Sequence, residues 1–163
     1  MMKKLFNPFT KYEGYQCFGC SPDNPFGLQL SFHEEDEFVT ASWEPVDHFQ
    51  GWFNTLHGGI QATMLDEIAS WFVFVKLNTS GVTAEMEVKL KKPVKMDEGK
   101  LFLKAQLREM RRNIAVIDTY LYNSKMELCT EAAMHYFTYP EKLAKEKFWY
   151  PGKEAFYLRE SVK

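Results

Sequence analysis

Cysteine is scarce in this 163-residue chain: there are three, at Cys17, Cys20 and Cys129. An odd number in a chain without an export signal argues for reduced thiols rather than a disulfide framework. Met1 to Pro8 begins with the charge of a signal peptide, but its apolar run is broken at once, and no stretch approaches the length of a membrane span. Charge of one sign is equally lacking. The formal balance is -2 with an isoelectric point near 6.1, which gives no global attraction to nucleic acid, and no nucleic-acid motif is present. There is no internal repeat and no low-complexity segment. These absences lead to the expectation of a soluble, cytoplasmic protein with no nucleic-acid or membrane partner.

What is present is apolar mass. With 45% hydrophobic and 16% aromatic residues, the chain can fill one core and is too short for two full domains. Its longest helical pattern covers Leu56 to Val75. Ile60, Met64, Leu65, Ile68, Trp71, Phe72 and Val75 form a broad stripe, with Ala62, Ala69 and Val73 on its flanks, so the helix is expected to be buried. Asp66 and Glu67 stand out against that background, because a carboxylate in a core costs several kcal/mol unless it is paired or has a task. Gly58-Gly59 at the helix start allows close approach to the backbone, where the first N–H groups have no internal partner.

The rest of the chain reads as strands. Residues 1–27 form an irregular lead-in punctuated by Pro8, Gly14, Pro22, Pro25 and Gly27. From Leu28 the period is two, and Glu34-Glu35-Asp36 turns the chain into Phe38 to Trp43, a hairpin. The loop from Val46 to Leu56 brings Gln50 and Asn54 to the foot of the helix. After the stop signal Asn78 to Gly81, Met86, Val88 and Leu90 alternate with Glu87, Lys89 and Lys91, and Pro93 ends the strand. Three long strands follow, Leu101 to Met110, Ile114 to Tyr122 and Glu127 to Thr138. The pattern predicts an α+β fold, an antiparallel sheet wrapped around one long central helix. The domain spans 28–138, and 139–163 form an aromatic and charged extension packed on it or on a neighbouring subunit.

Cys17 and Cys20 make a CxxC pair that is half of a four-ligand zinc set, but no second CxxC or close histidine pair follows. The expected role is a tight turn with small buried thiols and no metal. Cys129 lies in a predicted strand and belongs to the core.

Three motifs then carry a resemblance. His57-Gly58-Gly59 with Asp66 eight residues after Gly58, the run Cys17 to Leu28, and Thr83 to Val88 are together similar to the hotdog-fold thioesterase superfamily, of the 4-hydroxybenzoyl-CoA and phenylacetate-pathway type. The resemblance covers roughly Cys17 to Phe137. It implies that Asp66 acts as nucleophile or general base, that the Gly58 N–H polarises the thioester carbonyl, and that the Thr83 hydroxyl holds the attacking water. It also implies that Gln50 or Asn54 places an amide against the carbonyl. A solvated carboxylate at Asp66 and a close-packed turn at Gly58 are the rival explanations. His57 and Gly59 are secondary site residues, and His57 is expected to make a structural hydrogen bond. Glu67 points about 100° from Asp66 and is expected to pair with a basic side chain. Arg111 and Arg112, and less so Lys89, Lys91 and Lys92, are candidates for coenzyme A phosphates.

Spacing adds a constraint of its own. Eight helical residues advance about 12 Å, whereas an oxyanion donor and a base must both lie about 3 Å from one carbonyl group. If Gly58 and Asp66 are both catalytic, they come from two chains. The expectation is therefore an acyl-CoA thioesterase that works as a homodimer, or as a dimer of dimers, with coenzyme A as part of the substrate and no cofactor. The alternatives are a non-catalytic acyl-CoA-binding protein and a hotdog hydratase or dehydratase.

Overall fold

Helix α1 runs over Gly58–Lys76 in the computed structural model, which describes residues 1–157. It starts two residues later than its apolar pattern because His57 caps it: the His57 backbone is extended, and its Nδ1 accepts the Gly59 N–H at 2.9 Å. Met64, Leu65, Ile68, Trp71, Phe72 and Val75 are all buried, so the broad stripe faces the core as its period requires.

Around this helix lies one antiparallel seven-stranded sheet in the order β1-β2-β3-β5-β6-β7-β4. Its strands are β1 (Met2–Lys4), β2 (Phe32–Glu35), β3 (Phe38–Trp43), β4 (Gly81–Leu90), β5 (Leu101–Arg111), β6 (Ile114–Tyr122) and β7 (Leu128–Thr138). The helix packs across β3 to β7. Leu101, Leu103 and Ala105 of β5 and Ala115 and Ile117 of β6 are buried beneath it, as period-two alternation dictates. This is the expected hotdog architecture. Among the described residues no helix is long and apolar enough to cross a membrane.

Two local expectations are corrected. The lead-in is not wholly irregular, because Met2–Lys4 pairs with β2 and forms one edge of the sheet. Leu28 to Ser31 alternates like a strand but does not join the sheet. Its Leu28 and Leu30 N–H groups donate to the carbonyls of Phe18 and Gly19, and Gln29 adopts φ +53°. Both leucines are still buried, so the alternation reports burial against the Cys17 to Cys20 turn rather than a sheet ladder.

The described part of the C-terminal extension comprises a short helix, α2 (Glu141–Lys147), and a 3₁₀ turn at Lys153–Phe156. It covers the C-terminal half of α1. The Phe156 ring stacks on Phe74 at 5.2 Å, and the Tyr150 hydroxyl donates to the Phe74 carbonyl at 2.7 Å. Residues 158–163 of that extension lie outside the described residues.

At the opposite edge from β1, β4 pairs through one side only, with β7. Val82, Met86 and Leu90 are 51%, 48% and 58% exposed, an apolar surface on a ten-residue edge. Edges of this length and character pair with another chain unless they are protected.

Candidate active site

Asp66 sits two turns into α1 and faces β4 and β7. Its Oδ1 receives two hydroxyl groups, Thr83 Oγ1 at 2.7 Å and Tyr136 Oη at 2.5 Å. The Tyr136 oxygen also lies 2.8 Å from the Asp66 backbone carbonyl. Thr83 reaches the helix because it heads β4 beside a bulge between Thr83 and Glu85; the bulge flips the side-chain phase, so that Thr83 and then Met86, Val88 and Leu90 share the helix-facing side. Burial, followed by the charge of Asp66, holds the Tyr136 phenol well above its usual pKa, so Tyr136 serves as a donor. With Oδ1 doubly bonded, Oδ2 is the oxygen that has no hydrogen-bond partner among the described residues. One carboxylate oxygen is anchored by two hydroxyl groups and the other is not.

At the helix start the Gly59 N–H is taken by His57, as expected of a structural histidine. The Gly58 N–H has no partner among the described residues, in keeping with the first position of a helix. A Cβ placed on Gly58 would lie 3.3 Å from Leu90 Cδ1, which puts this donor beside the far end of β4. Gln50 and Asn54 flank it in the loop. Gln50 Oε1 accepts the Asn54 backbone N–H at 2.7 Å, and Asn54 Nδ2 donates to Asp97 at 3.0 Å, so both amides brace the loop and Gln50 retains its amide donor. Gln61, which the sequence did not single out, is buried and ties the helix to the sheet by donating to the Leu56 carbonyl at 3.0 Å and accepting the Thr130 hydroxyl.

The candidate residues therefore fall into separate groups. His57, Gly58, Gly59, Gln50 and Asn54 gather at one end of α1, and Asp66 and Thr83 lie about 12 Å along it. Arg111 and Arg112 occupy the β5–β6 turn, in the register row that passes through Ile114 and Phe137 to Val82. Arg111 is held by Glu109 at 2.5 Å. Arg112 is exposed, adopts φ +56°, and has no ion pair among the described residues. Lys91 and Lys92 pair with Glu131 and Glu127.

Glu67 does not meet a basic side chain, contrary to expectation. It turns towards the lead-in, where its Oε1 lies 3.4 Å from Cys17 Sγ and Cys20 Sγ lies 3.3 Å from Cys17 Sγ. Burial and then the neighbouring Cys17 sulfur push Glu67 up to about 8. The hydrogen bond from Cys20 brings Cys17 down to about 5, while Cys20 itself is raised. These three groups have metal-ligating atoms within 4.8 Å of one another. They border a cleft of about 370 Å³ shared with Tyr15, Phe74, Val82 and Phe148.

Tyr136, the second hydroxyl on Asp66, is a candidate that the sequence did not reveal. It reads there as one aromatic among many in an apolar strand, and only the β7–β4 register sets it opposite Thr83.

Residues 53–130 match the family model of the thioesterase superfamily. Solved structures share the fold. A thioesterase superfamily protein superposes with TM-score 0.66 at 18% identity over 71% of this chain, which spans 57% of that protein's length. A hypothetical thioesterase from Streptococcus pneumoniae TIGR4, solved with coenzyme A, gives TM-score 0.62 at 23% identity over 67% of this chain and 87% of its own. The protein smu.793 from Streptococcus mutans UA159, solved with acetyl-CoA, gives 0.64 at 18% over 79% and 96%. No curated protein matches the sequence.

Proposed function

We propose that this chain, which belongs to the thioesterase superfamily and has its hotdog fold, hydrolyses an acyl-CoA thioester to the free acid and coenzyme A in a site shared between two copies. The observation that carries the proposal is the Asp66 carboxylate, tethered through Oδ1 by Thr83 and Tyr136 and presented by Oδ2 beside an unpaired strand edge. Hydrolysis adds water across the acyl carbon–sulfur bond; the thiolate leaves and takes up a proton. Thiolates are fair leaving groups, so the site needs charge stabilisation and an activated oxygen more than a strong acid. Oδ2 supplies that oxygen, either by drawing a proton from water or by attacking directly.

The oxyanion donor comes from the other copy. Thr83, at one end of β4, contacts Asp66, and Leu90, at the other end, borders Gly58. An antiparallel pairing of two β4 edges about their middle, near Met86 and Glu87, sets each Thr83 against the other copy's Leu90. Asp66 of one chain then faces the other chain's Gly58 N–H, which supports a homodimer with two identical sites. The same pairing covers Val82, Met86 and Leu90. Coenzyme A binding in two structural relatives supports the ligand class, with Arg112 as a phosphate partner and no cofactor needed. Three free cysteines suit a reducing cytoplasm.

A hydratase or dehydratase of this fold needs a histidine paired with the carboxylate, whereas the partners of Asp66 are Thr83 and Tyr136. The test is release of free thiol from a panel of short, aromatic and long-chain acyl-CoA thioesters. Turnover by the native protein that drops by about 10² to 10⁴ in Asp66→Ala supports the enzyme. Tight binding without release by the native protein rejects turnover and identifies a non-catalytic binder.

A further inference from the structure

The lead-in turn and the central helix meet at a cluster that the hydrolytic site does not use. Cys17 and Cys20 come from the turn, and Glu67 comes from α1, fifty residues further along than Cys17. We propose that Cys17, Cys20 and Glu67 hold a thiophilic divalent cation of the zinc class, which clamps the lead-in onto the helix and keeps its fourth position open to the aromatic cleft.

Three independent observations support this site. The first is spacing. Tetrahedral zinc with bonds of about 2.3 Å to sulfur and 2.0–2.2 Å to oxygen sets S···S at roughly 3.8 Å and S···O at roughly 3.5 Å; here the Cys17–Cys20 and Cys17–Glu67 distances are 3.3 Å and 3.4 Å. The second is charge. Glu67 is half-buried beside two thiols and has no cationic side chain within ion-pairing distance among the described residues, so its oxygens are not taken by another positive group. A cation bound between the three groups would favour the ionised carboxylate and thiolates, with their protons released.

The third is the surrounding shell. The Tyr15 hydroxyl lies 3.1 Å from Cys20 Sγ, and Asn7 Nδ2 lies 3.6 Å from it. Asn7 Nδ2 also donates to the Tyr15 hydroxyl at 3.2 Å and the Cys20 carbonyl at 3.1 Å, so a connected polar group surrounds the Cys20 sulfur, as hydrogen-bonding groups do around a metal-bound thiolate. Gly19, between the cysteines, completes the arrangement: a Cβ there would come within 2.5 Å of the Glu67 carboxyl carbon, so the glycine leaves the space that the carboxylate occupies. The two thiolate ligands favour zinc over magnesium or calcium. On binding, the thiol protons pass to solvent as the sulfur–metal bonds form.

The experiment is metal titration of the reduced full-length protein without substrate, which keeps it separate from the fate of the thioesterase proposal. Zn²⁺ is expected to bind at about one per chain, and Co²⁺ to give thiolate-to-cobalt charge-transfer absorption. Cys20→Ser should abolish that absorption. Glu67→Gln and Gly19→Ala should each weaken binding at least about tenfold. Circular dichroism establishes that each variant is folded, and the titration of the native protein decides the matter if one is not. Absence of thiolate absorption in the reduced native protein overturns the site, as does recovery of Cys17 and Cys20 as a disulfide that takes up no metal after reduction. Unchanged affinity in folded Glu67→Gln rejects the carboxylate as a ligand.

Discussion

The Tyr136 hydroxyl oxygen lies 2.5 Å from Oδ1 of Asp66, across seventy residues of sequence. Tyr136 is 2% exposed, and its phenol is kept protonated by burial, so the contact is a short charge-assisted hydrogen bond. With the Thr83 hydroxyl it tethers Oδ1 of Asp66 and leaves Oδ2 without a hydrogen-bond partner among the described residues.

Tyr136→Phe removes that donor while keeping the ring that fills the core. A hydrogen bond to a charged group contributes about 1.5–3 kcal/mol. Here that corresponds to a fall in kcat of roughly 10- to 100-fold with KM little changed, since the bond orients the reacting group rather than the substrate. Steady-state kinetics check this alongside thermal unfolding, and an unaltered kcat would remove Tyr136 from the site.

Gly58→Pro tests the shared site without dismantling the helix. Proline is favoured at the first helical position, and His57 before it already lies outside the helical region, with the ψ of 130° that suits a residue preceding proline. The variant loses the N–H and should be inactive as a pure protein. Mixed with Asp66→Ala chains, it should regain up to about a quarter of native activity, because half of the dimers pair unlike chains and each of these has one intact site. Failure to regain activity after demonstrated subunit exchange would contradict the two-chain arrangement.

Glu34 gives a pH-dependent contribution to stability. Burial acts to raise its pKa, but Lys76 at 2.7 Å and the Tyr157 hydroxyl at 2.5 Å outweigh that, and the net shift is downward. A lowered native pKa means that the unfolded chain binds the proton more readily, so the contribution is present above the ordinary carboxyl range and disappears as pH falls through the native value. Glu34→Gln should therefore lower the urea midpoint at neutral pH, and the gap from the native protein should close below about pH 4. A gap that stayed constant through that window would disprove the linkage.

Phe156 anchors the C-terminal extension. It is fully buried, with ring centroids 5.2 Å from Phe74, 5.4 Å from Trp71 and 5.9 Å from Phe9. Phe156→Ala should cost about 3–5 kcal/mol through lost burial and the cavity left behind. Urea unfolding measures it, and a loss below about 1 kcal/mol would show that the extension is not part of the core.

Much of the architecture was legible because it is periodic. The stripe from Ile60 to Val75 marked α1, and the alternation in 101–138 marked three strands, since burial on one face imposes its period on the side chains. The same logic misled at Leu28 to Ser31, where alternate leucines are buried against a turn that supplies the hydrogen bonds. In the candidate site, the motif pointed to Asp66 and Thr83, which the structure brings into contact, and to Gly58, which starts the helix. Tyr136 was not legible, because an aromatic in a β-rich strand has ordinary packing reasons to be there. Glu67 was misassigned because its partners lie in a turn fifty residues earlier.

The chain's own order of residues determined one helix, the alternation of its strands, and the distance between Gly58 and Asp66, because each follows from local spacing and a fixed rise per residue. Tertiary structure decided that Tyr136 and Thr83 share one oxygen of Asp66, that β4 is an open edge, and that Glu67 faces two cysteines. Those outcomes depend on strand register and on which face of a helix meets which distant segment, and only the packing of the whole chain sets them.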